Sequence, residues 1–449
     1  MPVGFACRLF SCKEVIFLFS QFVDFIDSHS VLILGFGREG RSTYDIIRRH
    51  LPDKEIGISD IREIDISDPH VKTYSGKNYL ECMKNYEVVI KTPGVSFSDF
   101  IVPKNIILTS QTDLFLHYSD CLCVGVTGTK GKTIVSSLIY DMLKRDGKSA
   151  CLIGNIGLPV LDTLEDGEPD IAVIEMSSHQ LEFTTASPHI AVLTNIFPEH
   201  LEHHSGYNGY VASKMNIVRH QASDDYFICG ADKSYDLYCD FANVPSTVIK
   251  IASDISGYES IYTAFEQNSS LIGDHNLKNA FMAACAARLL GVSEESITRS
   301  IMEFKGVSHR LEYVGTNNDI DFYDDSTATI PQATIAGMEA IEDLDTLIFG
   351  GMSVGIDYAE FENYLFRCKA RNLIGLPDTG RIICSNLANR GCKKNLILAE
   401  DMESAIESAF SLTEKGKSCL MSPAASSYNV YKDFEHKGNH FRDLVLKHK

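Results

Sequence analysis

The run "CLCVGVTGTKGKTIVSSLIYDMLKRDG" (121–147) constrains the chain most, because an apolar strand, a glycine loop and an amphipathic helix follow one another without a gap. A phosphate-binding loop needs these parts: a strand, glycines whose backbone N–H groups face an anion, a lysine, a hydroxyl for a metal and a helix N-terminus. Gly128 and Gly131 flank the turn, Thr129 and Lys130 lie within it, and Lys132 and Thr133 follow. Ile134, Val135, Leu138, Ile139, Met142 and Leu143 then recur on one helical face, and Gly147 is placed to end the helix. The pattern G-x-x-x-x-G-K-[ST] asks for a first glycine at 126, where Val126 stands, with Gly125 one residue early. The mechanical parts outweigh the missing glycine, and the expectation is a nucleoside triphosphate site.

A second glycine turn lies upstream. "SVLILGFGREGRSTYDIIRRHL" (30–51) reads as strand, turn and amphipathic helix, with Gly35, Gly37 and Gly40 in G-x-G-x-x-G spacing and Asp60 beyond. In isolation this is the dinucleotide fingerprint of an NAD-dependent oxidoreductase. The apolar runs "DIAVIEM" (170–176) and "HIAVLTNI" (189–196) continue the central block, and a third block follows residue 306 with strand-like "DTLIFGG" (345–351), "RIICSN" (381–386) and "SCLMSP" (418–423). Strands alternating with helices predict parallel sheets. Ligands of such sheets bind beyond the carboxyl ends of the strands. Glu175, Asn195 and His200 collect there, and Glu175 with the Thr133 hydroxyl suits magnesium, which prefers oxygen ligands. His200, Glu202, His203 and His204 raise the question of zinc, but this spacing is also that of a solvated polar loop.

Composition limits the partners. The net charge of −19 and pI of about 5.2 argue against nucleic acid. Thirteen cysteines without C-x-x-C pairs read as reduced thiols of a cytosolic protein. "EVIFLFSQFVDFI" near the start is broken by charges, so the leading segment (1–27) is expected to be an amphipathic helix after a disordered first dozen residues, and no segment reads as membrane-spanning.

Several short motifs occur in one order: "GTKGKT", "GNIG" (154–157), "IEMSSHQLE" (174–182), "TNIFPEHLEHH" (194–204), "YVASKMNIV" (210–218), "GDHNLKNAFMAA" (273–284), "GVSHRLE" (306–312), "DDSTATIPQAT" (324–334) and "SPAASSYNVYKDFEHKGNHF" (422–441). From about residue 28 to the end the chain resembles the Mur ligase family, in which the phosphate loop lacks the first glycine. The resemblance implies three α/β domains, each an open, mostly parallel sheet with helices. These would be a Rossmann-like N-terminal domain (1–112) for a UDP-substrate, a P-loop ATPase-like central domain (113–306) for ATP, and a Rossmann-like C-terminal domain (307–449) for an amino acid. It implies a monomeric, cytoplasmic bacterial enzyme that uses ATP and Mg2+ to join glutamate to UDP-N-acetylmuramoyl-L-alanine through an acyl phosphate.

Residue roles follow from the same resemblance. Lys132 and Thr133 would bind ATP phosphates and magnesium, with Glu175, His200 and a carbamylated Lys214 completing the metal site. Asn279, Arg310 and Asp325 would grip ATP. Asn155, with the first glycine turn and Thr92 of "KTPGVS" (91–96), would hold the nucleotide-sugar, because UDP presents the same pyrophosphate to the same helix N-terminus as a dinucleotide does. Thr329, Ser427 and Phe434 would meet the incoming amino acid. By its residues alone Lys214 is an exposed helical lysine. Two positions depart from the family: Thr327 replaces a lysine, and Ser353 and Val354 stand where a cation should meet a carboxylate of glutamate, a loss that typically costs about 2–5 kcal/mol. Arg381 is a candidate substitute. Another acceptor, or a nucleotide-binding protein with impaired catalysis, are the alternatives; a folylpolyglutamate synthetase is disfavoured by the N-terminal glycine turn.

Overall fold

Each of the three apolar, glycine-punctuated blocks folds into its own sheet. The computed structural model describes residues 12–97, 100–155, 159–163, 169–232, 235, 243–252, 255–268, 270–353, 357–427 and 430–448, with side chains from residue 19 onward. Ile156 and Gly157 of "GNIG", Val354 and nearly all of the first dozen residues lie outside them.

The first sheet holds β1 (Val31–Leu34), β2 (Ile56–Asp60), β3 (Val71–Ser75), β4 (Val88–Lys91) and β5 (Ile107–Thr109), all parallel in the order 3-2-1-4-5. This is the strand order of a Rossmann sheet, with its switch point between β1 and β4. The second holds β6 (Leu122–Thr127), β7 (Ala150–Gly154), β8 (Ile171–Glu175), β9 (Ile190–Leu193), β10 (Tyr226–Gly230) and β11 (Thr247–Ile251), parallel in the order 11-10-9-6-8-7. The third holds β12 (Glu312–Asn317), β13 (Ile320–Asp324), β14 (Leu344–Phe349), β15 (Asn372–Gly375), β16 (Asn395–Leu398) and β17 (Lys417–Met421), ordered 12-13-17-14-15-16. Only β12, an edge strand, is antiparallel. The fold class expected from the sequence therefore holds.

The chain divides into two compact units, Met1–Tyr262 with Lys278–Ile301, and Thr263–Leu277 with Met302–Lys449. The first and second sheets share the first unit and one apolar core, to which β1 gives Val31 and Ile33, β8 gives Ile174, and the leading helix Cys12–Ser28 gives Phe22 and Ile26. Among the described residues no helix is long and apolar enough to cross a membrane.

One element differs in kind. "RIICSN", read as a strand, lies in the helix Thr379–Asn389. Ile383, Cys384 and Leu387 are buried while Ile382 is exposed, which is a helical period compressed into a run too short to distinguish the two states. The strands of this region are the less conspicuous β15 and β16 on either side.

Candidate active site

The phosphate loop sits at the centre of the second sheet, since β6 pairs with β8 on one side and β9 on the other. Gly131 caps the helix Lys132–Arg145 at φ +87°. The six apolar positions of its periodic face are all buried, and each contributes about 1.5–3 kcal/mol, so the loop's C-terminal anchor is rigid. Gly128 has φ +147°, and a Cβ there would stand 1.9 Å from Thr194 Oγ1. The loop is also clamped from the β9 side: Asn195 accepts from Lys130 N at 2.9 Å and donates to Lys130 O at 2.9 Å. The Thr129 hydroxyl points inward, 2.9 Å from Tyr210 OH, and adds to the clamp. Asn279 packs on the loop, its carboxamide oxygen 2.6 Å from where a Gly131 Cβ would be.

Two lysines converge on one carbonyl. Lys132 Nζ donates to Gly128 O at 2.9 Å and Thr129 O at 3.0 Å, and Lys214 Nζ donates to Gly128 O at 2.8 Å. Lys214, on the helix Tyr207–Arg219, is 2% exposed, which corrects its reading as a solvent-facing lysine. Burial, with Lys132 next, drives its pKa well below the ordinary lysine value. Burial and a second cation on the same acceptor both favour the neutral amine, and a neutral amine is a nucleophile.

Acidic and imidazole groups surround this pair. Glu175 ends β8, is 1% exposed, and accepts from Asn155 Nδ2 at 2.8 Å through Oε1. Its Oε2 is buried with no hydrogen-bond partner among the described residues. Glu199 accepts from Lys130 Nζ at 3.0 Å; burial alone would raise its pKa, but Lys130, His200 and Lys132 hold it down at about 2. His200 sits at φ +54°, with its side chain half exposed. Burial leads in lowering its pKa, Glu199 opposes it and Lys130, Lys132 and Lys214 add to the lowering, which favours the neutral ring. An orphaned carboxylate oxygen and a threonine hydroxyl on the first turn fit a hard divalent cation such as Mg2+, with His200 beside them. Glu199 went unselected in the sequence; its signal was adjacency to His200 in "PEH".

The first glycine turn forms a cleft of about 380 Å³ beyond the carboxyl ends of β1, β2 and β4, lined among others by Gly35, Gly37, Arg38, Asp60 and Thr92. A Cβ on Gly40 would stand 2.1 Å from Gly35 O, so the helix Arg38–His50 rides directly on the turn. Gly40→Ala is expected to cost about 1–3 kcal/mol by overpacking against backbone, seen as a lowered Cm in urea. Asp60, which the resemblance places among the residues that hold the UDP-substrate, lines this cleft and accepts from Phe36 N at 2.7 Å and Arg62 N at 2.9 Å.

In the second unit Asp325 accepts from Ser422 Oγ at 2.8 Å and Leu311 N at 3.1 Å, and burial pushes its pKa up to about 7 against the pull of Ser422 and Arg310. A folded carboxyl raised above its unfolded value holds its proton more tightly when folded. Its contribution is therefore full below about pH 4 and is lost as pH rises towards 7. Asp325→Asn should remove that loss, raising the thermal midpoint at pH 8 while changing little at pH 4. Arg310 Nε is buried without a hydrogen-bond partner among the described residues, as is the 3%-exposed Ser427 hydroxyl. Phe434 starts the helix Phe434–Lys447 and is exposed, its ring 6.4 Å from that of His309. Thr329 lies between β13 and the helix Pro331–Ala340. Arg381 is exposed and reaches Ala399 O at 3.5 Å. A buried cation attached to the loop after β14 is Lys437, 2% exposed, with Nζ 2.8 Å from Gly350 O and its pKa lowered by burial to about 7. The sequence reading passed over it.

Residues 126–287 match the Mur ligase middle domain. A UDP-N-acetylmuramoylalanine–D-glutamate ligase of Clostridium botulinum strain Langeland is 30% identical over 464 residues, covering 95% of this chain and 98% of that one. Among solved structures, MurF of Acinetobacter baumannii superposes with a TM-score of 0.60 at 17% identity, covering 95% of this chain and 98% of that one. The Thermotoga maritima MurF ligase in complex with ADP gives 0.59 at 18%, covering 93% and 95%. With a relative of this identity matched over nearly its whole length, the chain belongs to the Mur ligase family, whose members are ATP-dependent enzymes that form amide bonds.

Proposed function

We propose that this protein ligates D-glutamate to UDP-N-acetylmuramoyl-L-alanine with hydrolysis of ATP, in the cytoplasm, as a step of peptidoglycan precursor synthesis. The observation that carries the chemistry is the convergence of Lys132 and Lys214 on the Gly128 carbonyl beside the unpartnered Glu175 Oε2. The full-length similarity to D-glutamate ligases supports the choice of acceptor. Three functional domains with boundaries near residues 112 and 306 would divide the substrates: UDP in the first glycine turn, ATP on the phosphate loop, and the amino acid near Thr329, Ser427 and Phe434.

In this reading the alanine carboxylate attacks the γ-phosphorus of ATP, releasing ADP and giving an acyl phosphate. The amine of glutamate then adds to the acyl carbon, and phosphate leaves. Lys132 and the amides at the start of its helix would offset charge on the transferred phosphoryl group, so catalysis is mainly positioning and electrostatic stabilisation. Glu175, His200, the Thr133 hydroxyl and a Lys214 carbamate would hold Mg2+, which when bound neutralises phosphate charge. The carbamate forms when the neutral Lys214 amine attacks CO2 and loses one proton.

Thr327 and Ser353 favour a second reading, in which the same chemistry serves another acceptor. Phosphate release with UDP-N-acetylmuramoyl-L-alanine against a panel of single amino acids separates the two. Stimulation by D-glutamate alone supports the first, and stimulation by a different amino acid replaces it. If Lys437 supplies the missing cation, Lys437→Met should raise the acceptor KM about tenfold or more, while Arg381→Ala leaves it unchanged.

A further inference from the structure

His179, absent from every role above, is packed among three other imidazoles. It lies on the helical turn Ser178–Leu181 that follows β8, and its ring centroid is 4.2 Å from that of His203, 4.8 Å from His200 and 5.2 Å from His204. The rings of His203 and His204 are themselves 4.7 Å apart. One nitrogen from each of His179, His203 and His204 can be chosen so that all three lie within 4.8 Å of one another. Neither nitrogen of His179 has a hydrogen-bond partner among the described residues, so the ring is not held by a polar network that would explain it. His204 is pre-oriented: Ser213 Oγ holds Nδ1 at 3.2 Å, and Nε2 faces Ser178 Oγ at 3.0 Å, a neutral contact that a metal bond can replace. Glu182 lies beside them, with Oε2 3.2 Å from His203 Nε2 and Oε1 3.7 Å from His204 Nδ1, and its Oε2 is also 3.2 Å from the buried Lys91 Nζ.

Three imidazoles with a carboxylate beside them form a nitrogen-rich donor set, unlike the oxygen-rich set at Glu175 and Thr133. Imidazole suits zinc, copper, nickel and iron, whereas magnesium prefers oxygen. Tetrahedral zinc with bonds of about 2.0–2.1 Å needs donor atoms roughly 3.4 Å apart, so the rings would have to close in from a present spacing of up to 4.8 Å. We propose that His179, His203 and His204 form a second metal site, for an imidazole-preferring divalent transition metal, with water in the fourth position. Such an ion would tie the turn after β8 to the segment that carries Glu199 and His200, and so fix the two sides of the neighbouring magnesium site.

The test uses the full-length, metal-stripped protein in saturating Mg2+, titrated with Zn2+ by calorimetry and by the shift in thermal midpoint. The expected result is one saturable Zn2+ per chain and a raised midpoint. His179→Phe should weaken zinc binding at least tenfold, and His203→Phe should do the same should the first variant fold poorly. Glu175→Gln should leave zinc affinity unchanged. X-ray absorption of the loaded protein should show imidazole scattering. The proposal is overturned by no saturable binding in Mg2+, by unchanged affinity in folded His179→Phe or His203→Phe, or by loss in Glu175→Gln alone, which would put the zinc at the magnesium site.

Discussion

Lys132→Met is expected to lower kcat for ATP-dependent phosphate release about 10²–10³-fold, with little change in the thermal midpoint. The lysine is the first residue of its helix, and its Nζ is held on Gly128 O and Thr129 O at the loop itself. Its charge is thus preorganised where the phosphoryl group would develop negative charge, and methionine keeps the aliphatic stem while deleting that charge. Stability should barely respond, because the helix is anchored by Ile134, Val135, Leu138, Ile139, Met142 and Leu143 and not by the lysine head. Single-turnover kinetics would separate the effect from product release. A variant with wild-type kcat would mean that the loop holds a nucleotide without taking part in transfer.

Lys214→Met is expected to abolish measurable turnover while leaving the folded protein as stable or more stable. The amine is 2% exposed and its pKa is driven well down by burial and by Lys132, so the native state bears a cost that an apolar side chain of similar length removes. An activity loss coupled to a stability gain is the signature of a functional group, since a structural lysine would lose both together. If the neutral amine is carbamylated, depletion of CO2 should reduce the wild-type rate and bicarbonate should restore it. Lys214→Arg should not be restored, because a guanidinium stays protonated and cannot attack CO2. Wild-type turnover in Lys214→Met would remove this residue from the reaction.

The central loop was legible because its strand, glycines, lysine and helical face are contiguous, and every part of the argument is local. The glycine turn at 35–40 was equally legible as a shape, but the identity of its ligand was not, and the hydrogen bonds that Asp60 accepts from Phe36 N and Arg62 N have no sequence signature. Lys214 failed as a reading of residues because burial of a helical lysine is decided by what packs on it, here Tyr210, whose ring centroid lies 4.8 Å from Nζ. His179 was invisible for a related reason: its neighbours His200, His203 and His204 come from a loop some twenty positions later, brought alongside by the pairing of β6 with both β8 and β9. "RIICSN" shows the other limit, a run of apolar residues too short to carry a period.

The most direct test of the account is mass spectrometry of the product formed from UDP-N-acetylmuramoyl-L-alanine, D-glutamate, ATP and Mg2+. The account predicts a nucleotide-sugar heavier by one glutamyl residue, with one ADP and one phosphate per product, and none of it when ATP is omitted. ATP binding without any such product, from D-glutamate or any other amino acid, would contradict it.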